Sequence, residues 1–143
     1  MKVIYYSYCG CFSSPICAYL HVNNKGQIEK EEFFNIPYLF QIDYGQIKFI
    51  GKDEDQNEVF IIGMKNFSEN IKKTLQDLMK VFKIEEDIIF IDTSHYDVKF
   101  LKFLIRLREN KIFKKMTDEL LYKYYYLRHQ NIKKFIQKYK KVL

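Results

Sequence analysis

The segment of this chain best suited to chemistry runs from Ser7 to Ile16 and reads SYCGCFSSPI. It joins an apolar run, residues 3–6, to a predicted helix start. A tight loop of small residues between a strand and a helix directs several backbone N–H groups toward one point, and such a point attracts anions. The sequence therefore predicts an anion site formed by Ser7, Cys9, Gly10, Cys11, Phe12, Ser13 and Ser14.

A second polar group follows the apolar run 88–91 and reads Asp92-Thr93-Ser94-His95. Residues at the C-terminal end of a parallel strand line the ligand crevice in open α/β sheets. We therefore predict that Asp92, Thr93 and His95 flank the first loop as ligand-binding residues. A histidine can act as an acid or a base near neutral pH, but the sequence assigns no catalytic residue and no reaction.

Metal binding is an alternative use of the same loop, because Cys9, Cys11, Cys17 and His21 lie within 13 residues. The last two stand four apart, on one face of the predicted helix. The Cys9-x-Cys11 spacing differs from the C-x2-C of zinc knuckles, however, and a free cysteine often acts as a small buried hydrophobe. We predict no metal and no cofactor, and we interpret His21 as a residue that stabilises the helix C-terminus.

The sequence does not match two common binding motifs, the calcium loop and the Walker phosphate loop. The acidic stretch 53–57 begins like a calcium loop, but Glu58 replaces the glycine of the sixth position and Met64 the glutamate of the twelfth. This stretch is predicted to be a solvated hairpin turn. No G-x-x-x-x-G-K-[ST] segment occurs, so nucleotide hydrolysis through a Walker loop is not predicted.

Hydrophobic periodicity predicts the elements that position these residues. Near-continuous apolar runs at about 2–7 and 87–92 are typical of buried, parallel strands, and alternating runs between 46 and 62 indicate a β-hairpin. Helices are predicted over about 13–22, 29–35, 66–82, 97–108 and from about 132 onward. Together they predict one α/β domain, residues 1–143, built as a three-layer sandwich around a small mixed sheet.

Several predicted boundaries rest on capping residues or are open. Ser13 or Ser14 is predicted to cap the first helix, Asn66 with Glu69 forms a capping-box signature, and Asp97 is predicted to cap a later helix. Residues 110–128 allow either a helix or a short strand at 123–126.

Composition predicts an ordinary packed protein of the cytoplasm. No run approaches the ~18 to 20 apolar residues of a membrane span, and the apolar N-terminal run is too short for a signal peptide. The chain has 3 cysteines, all in its first 17 residues. An odd, clustered set indicates reduced thiols rather than a disulfide framework. No oligomeric state is predicted.

The net charge of +6 is unevenly distributed. Residues 99–143 contain 14 Lys and Arg against 3 Asp and Glu, whereas residues 1–98 contain 10 against 15. Such a basic block is typical of either the solvated face of amphipathic helices or a surface for nucleic acid. The alternative to a small anionic ligand is thus a polyanion-binding module using Arg128, Lys133, Lys134, Lys138, Lys140 and Lys141. A third is a noncatalytic interaction protein whose partner lies on the apolar region 100–127.

Four segments carry a family resemblance. They are residues 5–14 (YYSYCGCFSS), Ile36-Pro37, residues 51–63 (GKDEDQNEVFIIG) and residues 91–93 (IDT). The first resembles the Y-H-C-Y-G-G-x-H-S-S opening of the bacterial family catalogued as domain of unknown function 3189. The resemblance extends to about residue 95 and implies no established activity. Ser7 and Phe12 stand where that family has Cys and His.

The first loop is also distantly similar to the C-x5-R-S-P phosphate loop of low-molecular-weight tyrosine phosphatases and arsenate reductases. In such loops a thiolate attacks phosphorus while amides and an arginine hold the oxygens. Here the two key positions are Ser7 and Ser13. We therefore predict an uncharacterised cytosolic protein that binds a small anionic or phosphorylated ligand at this loop, with no reaction assigned.

Overall fold

A computed structural model describes residues 1–142. In chain order its elements are β1 Lys2–Ser7, α1 Ser13–Asn23, α2 Lys30–Phe34, β2 Lys48–Lys52, β3 Glu58–Gly63, α3 Ser68–Val81, β4 Ile88–Asp92, a 3-10 turn Ser94–Tyr96, α4 Leu101–Glu109 and α5 Lys111–Lys140.

The strands form one mixed sheet in the order β2-β3-β1-β4. The central strand β1 runs parallel to both β3 and β4, and β2 pairs with β3 as an antiparallel hairpin. The predicted α/β fold, the parallel pair and the hairpin are confirmed. Because β1, β3 and β4 point the same way, their C-terminal ends at Ser7, Gly63 and Asp92 meet at one edge of the sheet.

Helices cover both faces of this sheet. Side chains alternate along β1, so Val3 and Tyr5 belong to the large core with α1 and α5, whereas Ile4 and Tyr6 belong to a second cluster against Ile71 of α3. The parallel strand β1 is buried on both faces, which explains its near-continuous apolar sequence. The arrangement has three layers, as the sequence predicts.

Residues 111–140, within which the sequence leaves a strand possible, form the single 30-residue helix α5. The strand alternative at 123–126 is wrong because Tyr125 is fully buried by tertiary packing. Its ring stacks on Phe33 at 5.2 Å between centroids, and its hydroxyl accepts a hydrogen bond from the Ile28 N–H at 2.9 Å. Neither α5 nor any other helix within residues 1–142 is long and apolar enough to cross a membrane.

The predicted caps of α3 and α4 are wrong. Helix α3 has Phe67 at its N-cap with no side-chain hydrogen bond, so Asn66 and Glu69 form no capping box. Helix α4 begins after Phe100, which takes a left-handed conformation at φ 60°. Asp97 lies upstream of that start, and its carboxylate bonds to a different helix.

Candidate functional site

The first loop, residues 8–12, leaves the sheet where β1, β3 and β4 end. Gly10 has φ +65°, and a Cβ built on it would lie 2.6 Å from the backbone nitrogen of Gly63 at the end of β3. The glycine at position 10 therefore permits both a left-handed backbone conformation and the close approach of two backbone segments. The loop is held tightly against the end of β3.

Phe12 occupies the N-cap of α1 with φ 56° and ψ −87°, a conformation that costs a non-glycine residue about 1–3 kcal/mol. Its buried ring packs against Phe33 and Tyr124, and its N–H donates to the Leu39 carbonyl at 2.8 Å. The position that resembles the family's histidine is therefore a core position here, and packing holds its strained backbone in place.

The hydroxyls of Ser13 and Ser14 converge on Thr93, each 3.0 Å from its Oγ1. Thr93 Oγ1 donates its only proton to the Tyr6 carbonyl at 3.0 Å, so both serines act as donors to it. All three side chains are buried. The sequence predicts that Ser13 or Ser14 caps α1, and this is wrong, because Phe12 is the N-cap and no side chain caps it. The serine hydroxyls instead join the helix to Thr93 at the end of β4.

Asp97 supplies a carboxylate to the N-terminus of α1. Its Oδ1 accepts a hydrogen bond from the Ser13 N–H at 3.2 Å. Burial raises the pKa of Asp97 to about 6, with a further contribution from nearby Asp92, although the hydrogen bonds from Ser13 act in the opposite direction. The sequence predicts Asp97 only as the cap of a later helix, and its position soon after β4 is the one signal for its place at this loop.

Several amides of the predicted cradle already have partners in the protein. The Gly10 N–H donates to Ser7 Oγ at 3.2 Å, the Phe12 N–H to Leu39, and the Ser13 N–H to Asp97. The loop therefore folds around its own groups rather than around one open point. Its role in ligand binding stays a prediction.

Three free cysteines, Cys9, Cys11 and Cys17, lie buried in and after this loop. A hydrogen bond from the Cys11 thiol lowers the pKa of Cys9, while burial raises the pKa of Cys17. Within residues 1–142 no group of three or more His, Cys, Asp or Glu side chains could hold a metal ion.

His21 lies at the other end of α1 and is fully buried between two partners. The Tyr5 hydroxyl is 2.8 Å from Nδ1, and Asp53 Oδ2 is 3.0 Å from Nε2. Burial lowers the pKa of His21, so a neutral ring donates through Nε2–H to Asp53 and accepts from Tyr5. Its role is therefore a structural bridge, not the predicted interaction with the helix dipole.

The hairpin tip is only partly the solvated turn that the sequence predicts, because residues 54–56 are exposed but Asp53 and Asn57 are buried. The Asp53 carboxylate accepts from the backbone N–H groups of Asp55 and Asn57 and from the Asn57 side-chain amide, at 2.9–3.0 Å. Burial opposes its charge, but hydrogen bonds from Asn57 and His21 lower the pKa of Asp53. This end of α1 is fully hydrogen-bonded.

A cationic and aromatic cluster lies beside the first loop. The ammonium of Lys102 is 4.7 Å from the Tyr8 ring centroid and 5.3 Å from that of Tyr44, and Lys65 is 4.4 Å from Tyr44. Neither lysine forms an ion pair with any carboxylate of residues 1–142. Sequence reasoning missed this cluster. Its one signal is the position of Lys65, two residues after β3, because residues that follow parallel strands line the ligand crevice in open α/β sheets.

The structure separates the residues predicted around β4. Thr93 contacts the first loop, as described. Asp92 is exposed and accepts from the Ser94 N–H at 2.9 Å. The His95 ring packs against Tyr96 and Phe135, at 4.0 and 5.2 Å between centroids, and so lies against α5.

Comparison with known proteins identifies one family. The family model described as "Protein of unknown function (DUF3189)" matches residues 2–141, so the likeness extends through α4 and α5, well past residue 95. No curated protein and no solved structure matches the chain. The distant likeness to phosphatase loops receives no support. The chain belongs to the DUF3189 family.

Proposed function

We propose that this protein binds a small anionic or phosphorylated ligand beside its first loop. The observation that carries this proposal is the convergence of the Lys65 and Lys102 ammonium groups on the Tyr8–Tyr44 pair. Two cations without carboxylate partners beside the same pair of rings attract a dianion such as phosphate or sulfate.

The position of the cluster supports the same conclusion. Tyr8 follows β1 and Lys65 follows β3, and the Lys65 N–H donates to the Tyr8 carbonyl at 2.9 Å. The cluster therefore stands at the edge where the parallel strands end, which is where open α/β sheets bind ligands. The positive end of the α1 dipole lies at this edge too.

Asp97 would compete with such a ligand, because it already accepts the Ser13 N–H. Below a pH of about 6 its carboxyl is largely neutral, which removes the charge repulsion and weakens the hydrogen bond from the Ser13 N–H. We therefore expect anion affinity to rise as the pH falls through about 6. A partly buried acid with a raised pKa next to a strained backbone is typical of functional sites.

The test is a sulfate titration followed by NMR shift changes, because sulfate keeps its charge between pH 5.5 and 7.5. We expect shifts at residues 8–14, Lys65 and Lys102. If only the protein with protonated Asp97 binds, the apparent Kd should weaken by about 20-fold from pH 5.5 to 7.5.

Matched variants locate the site. The Lys65→Gln and Lys102→Gln changes should each weaken sulfate binding, whereas Lys73→Gln, an exposed lysine of α3, should leave it unchanged. Absent shifts at the loop, or an equal response in all three variants, would refute the proposal.

The second candidate function is polyanion binding by the end of α5. It is favoured by Lys133, Lys134, Lys138, Lys140 and Lys141, none of which forms an ion pair with a carboxylate of residues 1–142. Its test is binding of nucleic acid across a salt series. A steep loss of affinity with salt supports it, and absent or salt-insensitive binding refutes it.

A further inference from the structure

A small cleft of about 180 Å³ lies between the C-terminal end of α1 and the last turns of α5. We call it the α1–α5 pocket. Two of its lining residues, Leu20 and Ile136, are apolar and buried. Its volume equals that of about six liquid waters and is below the roughly 300 Å³ at which pockets begin to enclose drug-sized ligands. The pocket therefore suits a small polar group rather than a whole nucleotide.

The charged lining of this pocket is entirely cationic. Lys25, Lys133 and Lys140 line it, and no Asp or Glu among residues 1–142 does. Lys25 pairs with Glu32, whereas neither Lys133 nor Lys140 forms an ion pair with a carboxylate in that part of the chain. Two unpaired ammonium groups at one small cleft repel each other, and an anion between them replaces this repulsion with attraction.

The Lys133 and Lys140 side chains reach from α5 toward the end of α1. The two residues stand seven apart on one face of α5, with Gln137 between them, and all three line the pocket. The Lys140 ammonium is 3.4 Å from Asn24 Oδ1. The Lys133 ammonium lies against Gly26, where an added Cβ would be 2.9 Å from its Nζ. Both cations are therefore held at the pocket by contacts across it.

The basic end of α5 accordingly contains two kinds of lysine. Lys133 and Lys140 are half-buried and line the pocket. Lys134, Lys138 and Lys141 are exposed and do not line it. We call the first two the inner lysines and the other three the outer lysines. A site in the pocket depends on the inner lysines alone, whereas a basic surface depends on both kinds.

The negative charge near the pocket is smaller than the charge of the inner lysines. The C-terminal end of α1 is equivalent to about −0.5 charge, against two full charges. Glu54 accepts a hydrogen bond from Asn24 Nδ2 at 2.9 Å, but it is exposed, so water and salt screen it. The charge of Lys140 acts on the interior as well, because it adds to the effect of burial in lowering the pKa of His21. The pocket therefore favours an anion.

We propose that the α1–α5 pocket binds a phosphate dianion, either as inorganic phosphate or as the phosphate group of a small phosphomonoester. The ammonium groups of Lys133 and Lys140 hold its oxygens through charge-assisted hydrogen bonds, and the Gln137 side-chain amide is a further donor. The organic part of a phosphomonoester extends into solvent. This site lies at the opposite end of α1 from the first loop and does not rest on the function proposed there.

The experiment is an NMR titration of the full chain with inorganic phosphate at pH 7.5. It uses the Lys65→Gln variant, which lacks one cation of the cluster beside the first loop. We expect saturable shift changes at the backbone N–H groups of Lys25 and Gly26 and at the Gln137 side-chain amide. A parallel titration with glycerol phosphate distinguishes the two sources of the phosphate group, because tighter binding of the ester shows that its organic part contributes.

Matched double variants separate the pocket from the surface charge of α5. Lys133→Gln with Lys140→Gln removes the inner lysines, and Lys134→Gln with Lys138→Gln removes the same charge from the outer set. We expect the inner double variant to weaken phosphate binding by at least about ten-fold. The outer double variant should weaken it by less than about two-fold, because exposed charges are screened.

Gly26→Ala tests the pocket without a change of charge. The added Cβ displaces the Lys133 ammonium, and the backbone tolerates alanine because Gly26 has no positive φ. We expect phosphate binding to weaken by about five-fold. Thermal denaturation should show an unchanged melting temperature. If the inner double variant does not fold, this variant decides the question.

Three results would overturn the proposal. They are the absence of saturable shifts at residues 25, 26 and 137 with either phosphate compound, equal weakening by the inner and outer double variants, and an unchanged affinity in Gly26→Ala. The second result would assign the binding to the general basic surface of α5. Failure of the site at the first loop is seen separately, as absent shifts at residues 8–14 in the unsubstituted protein.

Discussion

The two ends of helix α1 both hold a buried polar network, but the two networks treat their carboxylates in opposite ways. At the C-terminal end, Asp53 accepts hydrogen bonds from Asn57, from the turn backbone and from His21, and its pKa is lowered. At the N-terminal end, Asp97 accepts from the Ser13 N–H, and burial raises its pKa to about 6.

This difference indicates that the carboxylate at the C-terminal end of α1 stabilises the fold, whereas the carboxylate at the N-terminal end lowers its stability. A carboxylate surrounded by donors is stabilised as the anion, whereas one that is buried with few donors disfavours the charged form. The hairpin end is therefore a structural clamp between α1 and the β2–β3 turn. The loop end combines an acid with a raised pKa and the strained backbone of Phe12, and both features lower stability there.

The largest effect is expected at the clamp. Asp53→Ala removes the acceptor of several buried donors and leaves the His21 Nε2–H and the Asn57 amide without partners. We expect the free energy of unfolding to fall by about 3 kcal/mol, as for other broken buried networks. Urea denaturation measures it.

The control for this change is Asp55→Ala in the same turn, where the side chain is exposed. It should change stability by no more than about 0.5 kcal/mol. Equal losses in the two variants would mean that the turn, and not the buried network, determines stability at this end.

The next largest loss of stability is expected at Gly10, where the backbone of the first loop closely approaches the end of β3. Gly10→Ala introduces a Cβ at a left-handed φ and 2.6 Å from the Gly63 nitrogen. We expect a loss of about 2–3 kcal/mol in the free energy of unfolding, measured by thermal or urea denaturation.

Gly45→Ala isolates the backbone contribution, because Gly45 also has a positive φ, +72°, but nothing lies within 4 Å of its added Cβ. This variant should lose only about 1 kcal/mol. If both variants lose the same amount, the contact between Gly10 and Gly63 contributes nothing to the loop.

The sequence predicts the strands, the hairpin and most helices because their periodicity is local and strong. It also places Thr93 near the loop, since parallel strands bring their C-terminal ends together. By contrast, the bond between Ser13 and Asp97 joins residues 84 positions apart, and no periodicity encodes such a pair.

Contacts between residues distant in sequence also explain the other differences between the predicted and the observed structure. The run at 123–126 becomes helical because Tyr125 packs on Phe33, a tertiary contact that overrides local preference. The role of His21 depends on Asp53, 32 residues away. Residue types identify polar groups, but only the fold determines which of them become partners.

The pH dependence of stability separates the two ends of α1. The pKa of Asp97 is about 6 in the folded protein against 3.8 as the ordinary value. Its favourable contribution is therefore complete below pH 4 and is lost as the pH rises through about 6. We expect Asp97→Asn to raise the free energy of unfolding at pH 7.5 by about 2 kcal/mol, after allowing for partial exposure.

Between pH 4 and 7 the difference between Asp97→Asn and the unsubstituted protein should shrink as the pH falls. The clamp has the opposite sign, because the lowered pKa values of Asp53 and His21 mean that acid removes its contribution. Asp87→Asn, at an exposed carboxylate, is the control and should show little change. If the difference in the free energy of unfolding between Asp97→Asn and the unsubstituted protein does not change with pH, Asp97 is not a destabilising acid at the loop end.

The smallest effect is expected at Thr93, where the hydroxyls of the loop end converge. Thr93→Val keeps the shape but removes the acceptor of the Ser13 and Ser14 hydroxyls. Serine hydroxyls in a helix can turn to a backbone carbonyl instead, so we expect a loss of only about 1.5 kcal/mol in urea denaturation. Thr93→Ser restores the hydroxyl and should recover more than half of it. If valine and serine are equally destabilising, the methyl group, not the hydrogen-bonding centre, secures α1 to β4. The two ends of the helix would then differ in packing rather than in polar bonding.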